Sequence, residues 1–258
     1  MATATLNGVD IDYEVTGDGP SVLLTHGFSA TRTSWADQHR ALDDRYRVIS
    51  WDLRGHGQTV SPDDPTAYSL DLTVADMHAL LRHLGVERAV IGGLSLGGYA
   101  SLAFHRAHPE MVRALVIVSS GPGYRNPEAR DQWNDRAHRR ATELESRGLE
   151  VLGGGSADMR AAVQRHRSAR ALAHAARGML AQEDARVIDS LPGIAVPTLV
   201  ILGARDEPFV APSRYMAAKI PGARLEVIEG AGHAANLDRP EPFNRVLRTF
   251  LDHLPEGP

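Results

Sequence analysis

Six short runs of aliphatic and β-branched residues set the strongest limit on what this chain can fold into. They are "SVLLTHG" (21–27), "YRVISWD" (46–52), "RAVIGGLS" (88–95), "RALVIVSS" (113–120), "PTLVILGA" (197–204) and "RLEVIEGA" (224–231). Their apolar residues are consecutive rather than alternate, as expected of strands covered on both faces of a parallel sheet. Between them, "LTVADMHALLRHLG" (72–85) carries apolar residues at helical spacing and stops at glycine. "GGYASLAFHRAHP" (97–109) and "PEPFNRVLRTFLDHL" (240–254) have similar patterns. This alternation predicts an α/β fold, a mainly parallel sheet flanked by helices. Near the start, "ATLNGVDIDYEVTG" alternates around Asn7-Gly8, a hairpin signal that adds an antiparallel edge.

The rhythm breaks after Gly121. Residues 122–191 contain no strand run, are crowded with arginine and alanine, and keep helical periodicity on both sides of "GGGS" (153–156). The expected organisation is a core of residues 1–121 and 192–258, interrupted by a helical cap insertion over 122–191. In open parallel sheets, ligands bind beyond the carboxyl ends of the strands, so the chemistry is expected just after the strand runs.

Composition narrows the function classes. The chain has 258 residues, enough for one sizeable core, and its net charge of −4 offers no footprint for nucleic acid or an anionic membrane. No apolar run approaches the ~18 residues of a membrane span, and the N-terminal stretch lacks a basic start and apolar signal core. A cytoplasmic protein is expected. With no cysteine, disulfides, thiolate metal sites and a cysteine nucleophile are excluded. No histidine pair has metal-ligand spacing with a partner set, so no metal is expected. The single lysine, Lys219, reads as a solvated surface charge rather than a Schiff-base former.

The run ending at Ser95 leads straight into a helical pattern through "GLSLG", the G-x-S-x-G nucleophile elbow. A sharp strand-to-helix turn would expose the Ser95 hydroxyl, and side chains at Gly93 or Gly97 would collide across it. The bland alternative is a helix-capping serine in a glycine-rich turn. A serine nucleophile needs a base, and the base an orienting acid. Among twelve histidines, His233 stands in a small-residue loop directly after the last strand run, and Asp206 follows the preceding one. Glu207 is a less suitable acid because its longer side chain shifts the carboxylate. Asp238 is expected to cap the helix before Pro240. "GLSLGG" lacks the Gly-Lys-Ser/Thr ending of a phosphate-binding loop.

The elbow and the order Ser95, Asp206, His233 resemble the α/β-hydrolase superfamily, and the resemblance covers nearly the whole chain outside the cap. It implies an eight-stranded, mainly parallel sheet and a Ser-His-Asp triad working without a cofactor. It also implies two oxyanion-hole donors: the Leu96 N–H after the nucleophile, and the Phe28 N–H in "LLTHGFSATRTSW", which is similar to the family's His-Gly-aromatic segment. His26 is expected to brace that loop. Asp52, Arg54 and His56 of "WDLRGHGQT" are expected to form a hydrogen-bonded scaffold. Leu94, Trp133, Phe209, Val210 and Arg125 are candidate substrate contacts, because they flank catalytic positions or lie in the cap.

Serine at position 95 argues against the dehalogenase and epoxide hydrolase branches, which use aspartate there. The leading expectation is hydrolysis of small carboxylic esters or lactones. Alternatives are a carbon–carbon bond hydrolase of aromatic breakdown, a lyase similar to the menaquinone-pathway synthase, and a non-catalytic binding protein on the same fold. The synthase family carries arginine after the elbow's double glycine, where this chain has Tyr99. Arg125, Arg130, Arg139 and Arg140 are its remaining candidates for a carboxylated substrate, with a solvated helix face as the plainer reading.

Overall fold

The computed structural model describes residues 2–255. Eight strands form one sheet: β1 (Ala2–Leu6), β2 (Val9–Thr16), β3 (Ser21–Thr25), β4 (Arg47–Trp51), β5 (Ala89–Leu94), β6 (Val112–Val118), β7 (Thr198–Gly203) and β8 (Arg224–Ile228). Their spatial order is β1-β2-β4-β3-β5-β6-β7-β8. The first two strands join through Asn7 and Gly8, both at positive φ (47° and 79°), and pair antiparallel at one edge. All six predicted runs supply the parallel part.

Helices cover both faces. On one side lie α1 (Ala36–Leu42) and, late in the chain, α10 (Pro240–Asp252); on the other are α2 (Leu70–His83) and α3 (Leu96–Ala107). The period-2 geometry of the strands sorts their apolar residues accordingly. Leu23, Ile49 and Ile91 pack with Met77, Leu80 and Phe104, while their neighbours Val22, Val48 and Val90 pack with Trp35, Leu42 and Phe243. Because every central strand meets apolar helices on both faces, its sequence reads as one unbroken apolar run.

Between β6 and β7 the chain forms only helical elements: α4 (Pro127–Arg147), α5 (Ala157–Ala162), α6 (Ala169–Ala175) and α7 (Arg186–Ser190), with short tighter and wider turns between them. The buried stripe of α4 is Ala137, Ala141 and Leu144, spaced i, i+4, i+7. Its small residues let α6 approach closely. Polar ties close the insertion: Asn134 exchanges two hydrogen bonds with the Gln182 backbone (2.7 and 2.8 Å), and Arg177 binds the Glu145 carboxylate through both terminal nitrogens. After β7 come α8 (Glu207–Lys219), then β8 and the single turn α9 (Ala235–Asp238).

Candidate active site

Ser95 sits between the end of β5 and the first residue of α3, at φ 54° and ψ −113°, a conformation that costs a non-glycine residue strain. Surrounding bonds hold it there. Its N–H donates to Val118 O (2.9 Å), and its carbonyl accepts from the Tyr99 N–H (3.1 Å) and the Ser120 hydroxyl (2.7 Å). The flanking glycines have steric work. A Cβ on Gly93 would strike the Gly97 carbonyl, and one on Gly97 would strike the Thr25 carbonyl. On Gly98 it would lie 2.7 Å from the Ser120 Cβ.

The loop after β3 lies beside this turn. His26 is fully buried and braces it: Nε2 accepts from the Leu53 N–H (3.0 Å), so the proton is on Nδ1, which donates to Gly27 O (2.7 Å). Burial drives the His26 pKa down to about 3, keeping the ring neutral. Among the described residues the Phe28 N–H finds no protein acceptor. The Leu96 N–H opens a helix, where the first donors have no intrahelical partner.

The loop at 52–59 is the scaffold expected of it. Asp52 accepts from the Arg32 and Gln58 amides (2.6 and 2.8 Å), and Arg54 forms a two-pronged ion pair with buried Asp76 (2.5 and 2.9 Å). Burial raises the Asp52 carboxyl to about 6.

His233 and Asp206 arrive from the loops after β8 and β7. Asp206 is buried and precedes α8, and its Oδ2 accepts from His233 Nδ1 (2.9 Å). A carboxylate only accepts, so Nδ1 carries the proton and Nε2 is left as a base. Desolvation lowers the His233 pKa, but the hydrogen bond and charge of Asp206, with smaller contributions from Asp158 and Asp238, outweigh it; the net shift is upward. Asp238 corrects the sequence reading. It accepts from the Gly232 N–H (2.7 Å), holding the histidine loop, whereas Arg239 occupies the α10 N-cap.

Two lobes of one cleft share Ser95, Trp133, Arg136, Leu180 and Phe209. One, of about 370 Å³, is walled mainly by apolar and aromatic side chains including Leu96, Tyr99, Tyr124 and Ile188. The other, of about 300 Å³, holds His233, Phe28, Met159, Asp158 and Arg140. Thus Ser95, Asp206 and His233 come together around this cleft, and Phe28, Leu96, Trp133 and Phe209 line it.

Three sequence candidates lie elsewhere. Leu94 points into the opposite core with Trp35 and Phe243, because neighbours on a strand face opposite sides. Val210 is absent from the lining of both lobes, whereas its neighbour Phe209 lines both. Arg125 is exposed and bound to Asp189 and to the Tyr215 hydroxyl (3.1 Å), outside both lobes. Of the other arginines, Arg140 lines the polar lobe and pairs with Glu143, and Arg130 and Arg139 line neither.

Two insertion residues escaped the sequence reading. Buried His166 accepts from the Gly57 N–H (3.1 Å) and donates to Ser29 O (3.0 Å), tying the insertion to the Phe28 loop. Asp158 is 2% exposed and faces the polar lobe. Neither has a local signal; each is a lone polar residue in a segment rich in them.

A family model for the Alpha/beta hydrolase family matches residues 22–246, and the chain belongs to that family. It is an enzyme. A putative 2-succinyl-6-hydroxy-2,4-cyclohexadiene-1-carboxylate synthase of Bacillus subtilis is 29% identical, over 97% of this chain and 99% of its own. Among solved structures, a thermophilic esterase from Thermogutta terrifontis, bound to malate, superposes with a TM-score of 0.85 at 28% identity, over 98% of both chains. The enol-lactonase from Burkholderia xenovorans LB400 gives 0.84 at 26% identity, over 98% of this chain and all of its own. Among the described residues no group of three or more His, Asp or Glu side chains is arranged so that it could hold a metal ion, and no helix is long and apolar enough to cross a membrane.

Proposed function

We propose that this enzyme cleaves small carboxylic esters or lactones through Ser95, His233 and Asp206, by way of an acyl-enzyme. The observation that carries the reading is the 2.9 Å His233–Asp206 hydrogen bond beside a serine held at positive φ on the same cleft. His233 Nε2 takes the Ser95 proton as Oγ attacks the carbonyl. The Phe28 and Leu96 amides, free of competing acceptors, hold the oxygen that becomes negative; losing one such donor typically costs about 10²–10³ in rate. Asp206 fixes the His233 tautomer and offsets the imidazolium charge. His233 then protonates the leaving oxygen, and water, activated by the same ring, releases the acid.

Residues 122–191 act as the cap of this site, and the apolar lobe they help to wall takes the acyl chain. The cytoplasm is the compartment proposed for the enzyme, in keeping with a cysteine-free chain. Similarity to the Bacillus synthase favours one second reading, a lyase on the same triad. Against it stand Tyr99 on the cleft wall and Arg125 tied to Asp189 outside it.

Turnover of a panel of esters of graded acyl length, lactones and the synthase substrate, compared as kcat/KM, separates the two. The proposal expects esters or lactones to lead. Turnover confined to the synthase substrate would overturn it.

A further inference from the structure

Asp158 is a buried carboxylate that the triad chemistry does not use. It is carried by α5 of the insertion, and it lies deep against the catalytic loops. A Cβ placed on Gly27 would sit 3.3 Å from Asp158 Oδ2 and 3.4 Å from the Ser95 Cβ, so both flank one point of the cleft. Its charge is felt at His233, whose pKa it helps to raise. Oδ1 accepts from the Ser156 hydroxyl (2.5 Å). Among the described residues Oδ2 receives no hydrogen bond, and no cation pairs with either oxygen. A carboxylate has about four acceptor positions, and those of Oδ2 open onto the cleft rather than into the packed interior. Such a group in a substrate cleft is built to receive a donor from the ligand.

The direction of the chemistry says which part of the substrate supplies it. His233 must hand its proton to the leaving oxygen, so the alcohol portion occupies the lobe that His233 lines. Asp158 lines that same lobe, whereas the other is largely apolar. Arg136 stands exposed on the rim of both, without an ion-pair partner among the described residues. A guanidinium at the entrance disfavours a cationic alcohol and leaves a neutral hydroxyl as the matching donor.

We propose that Asp158 is a specificity-determining residue that accepts a hydrogen bond from a second hydroxyl on the leaving alcohol, making monoesters of diols and polyols with apolar acyl chains the preferred substrate class. This rests on the serine-hydrolase reading above.

The test uses three butanoates with a common acyl group: 2-hydroxyethyl, 2-methoxyethyl and propyl. All three give the same acyl-enzyme, so kcat/KM differs only through the alcohol. The hydroxyethyl ester is expected to lead its methyl ether by about ten- to a hundredfold, the range for a hydrogen bond to a charged acceptor. Asp158→Ala and Asp158→Asn are each expected to shrink that ratio, Asp158→Ala to within about threefold. Labelling of Ser95 by a fluorophosphonate probe in each variant shows that the site is still assembled. Equal kcat/KM for the three esters in a labelled wild-type enzyme overturns the inference alone. So does a uniform fall across all three in the variants with a shifted pH profile, which would make Asp158 a positioning residue for His233. Failure of the wild type to label overturns the serine-hydrolase reading as well.

Discussion

The two sides of the cleft are built by different rules. On the sheet side, each functional group follows a strand end and is held through its own backbone: Ser95 by Val118 and Ser120, the Phe28 loop by His26, which Leu53 anchors, and the His233 loop by Asp238. On the insertion side, the walls are single side chains hung from helices. Trp133 is fixed by one bond to Leu180 O (2.8 Å), and Asp158 by one from Ser156. On the proposed function, the first construction fixes where the reaction occurs and the second selects what reaches it. Changes on the sheet side should therefore fall on kcat, and changes in the insertion on discrimination between substrates.

The largest effect expected from breaking the sheet side short of removing the nucleophile or its base is that of Asp206→Asn. It leaves the shape nearly intact but replaces an acceptor-only carboxylate by an amide whose N–H can donate to Nδ1 and favour the wrong His233 tautomer, and a loss of about 10³–10⁴ in kcat is expected. Without Asp206 the His233 pKa falls, so the residual activity should switch on at lower pH than in the wild type. A pH–rate profile of both proteins checks each part.

Next comes the seam where insertion meets sheet. His26, His56 and His166 are buried together, with ring centroids 5.0 Å (His26–His56) and 5.9 Å (His56–His166) apart, and burial lowers all three pKa values. The unfolded chain therefore binds more protons below its histidine pKa of ~6.5, and stability falls as pH drops from there toward the folded values, about 3 for His26. Each such histidine contributes up to ~1.4 kcal/mol per pH unit in that window. Asp52, raised to about 6, acts in the opposite sense: its folded form gains a proton between about 6 and the unfolded carboxylate range. Three histidines outweigh one aspartate, so the melting temperature should fall steadily below pH 6.5. His166→Gln should flatten part of that slope, and an unchanged slope would remove His166 from the account.

The smallest effect expected is in the insertion. Trp133→Ala should raise KM several-fold for long-chain esters, leave short ones nearly unaffected, and change kcat little. A matched fall in kcat for every chain length would mean that the insertion assembles the catalytic groups as well as selecting among substrates.

The same division explains what was legible in the sequence. Strands and elbow could be read because their signals are local: unbroken apolar runs, glycines at fixed offsets from Ser95, and polar residues placed just after strand ends. Asp206 and His233 were found by position along the chain, since the sheet converts "after a strand" into "at one edge". Cleft walls are not local in this sense. Leu94 adjoins Ser95 in sequence yet faces the other core, because direction alternates along a strand. Arg125 is captured by Asp189, a residue 64 positions away. Asp158 and His166 look like any polar residue of an arginine-rich helical stretch until the fold sets them against Gly27 and Ser29. Tyr99 was legible as a departure from one family pattern, and it does line the apolar lobe, where burial raises its hydroxyl to about 12.

The central claim is that Ser95 becomes acylated during turnover. The most direct measurement is intact-mass spectrometry of the enzyme after brief exposure to a p-nitrophenyl ester or a fluorophosphonate, followed by peptide mapping. The account predicts a single adduct on the peptide containing Ser95, complete loss of that adduct in Ser95→Ala, and a loss of about 10⁴-fold or more in kcat for the same variant, whose fold is preserved. An adduct on another residue, or turnover undiminished in Ser95→Ala, would contradict it.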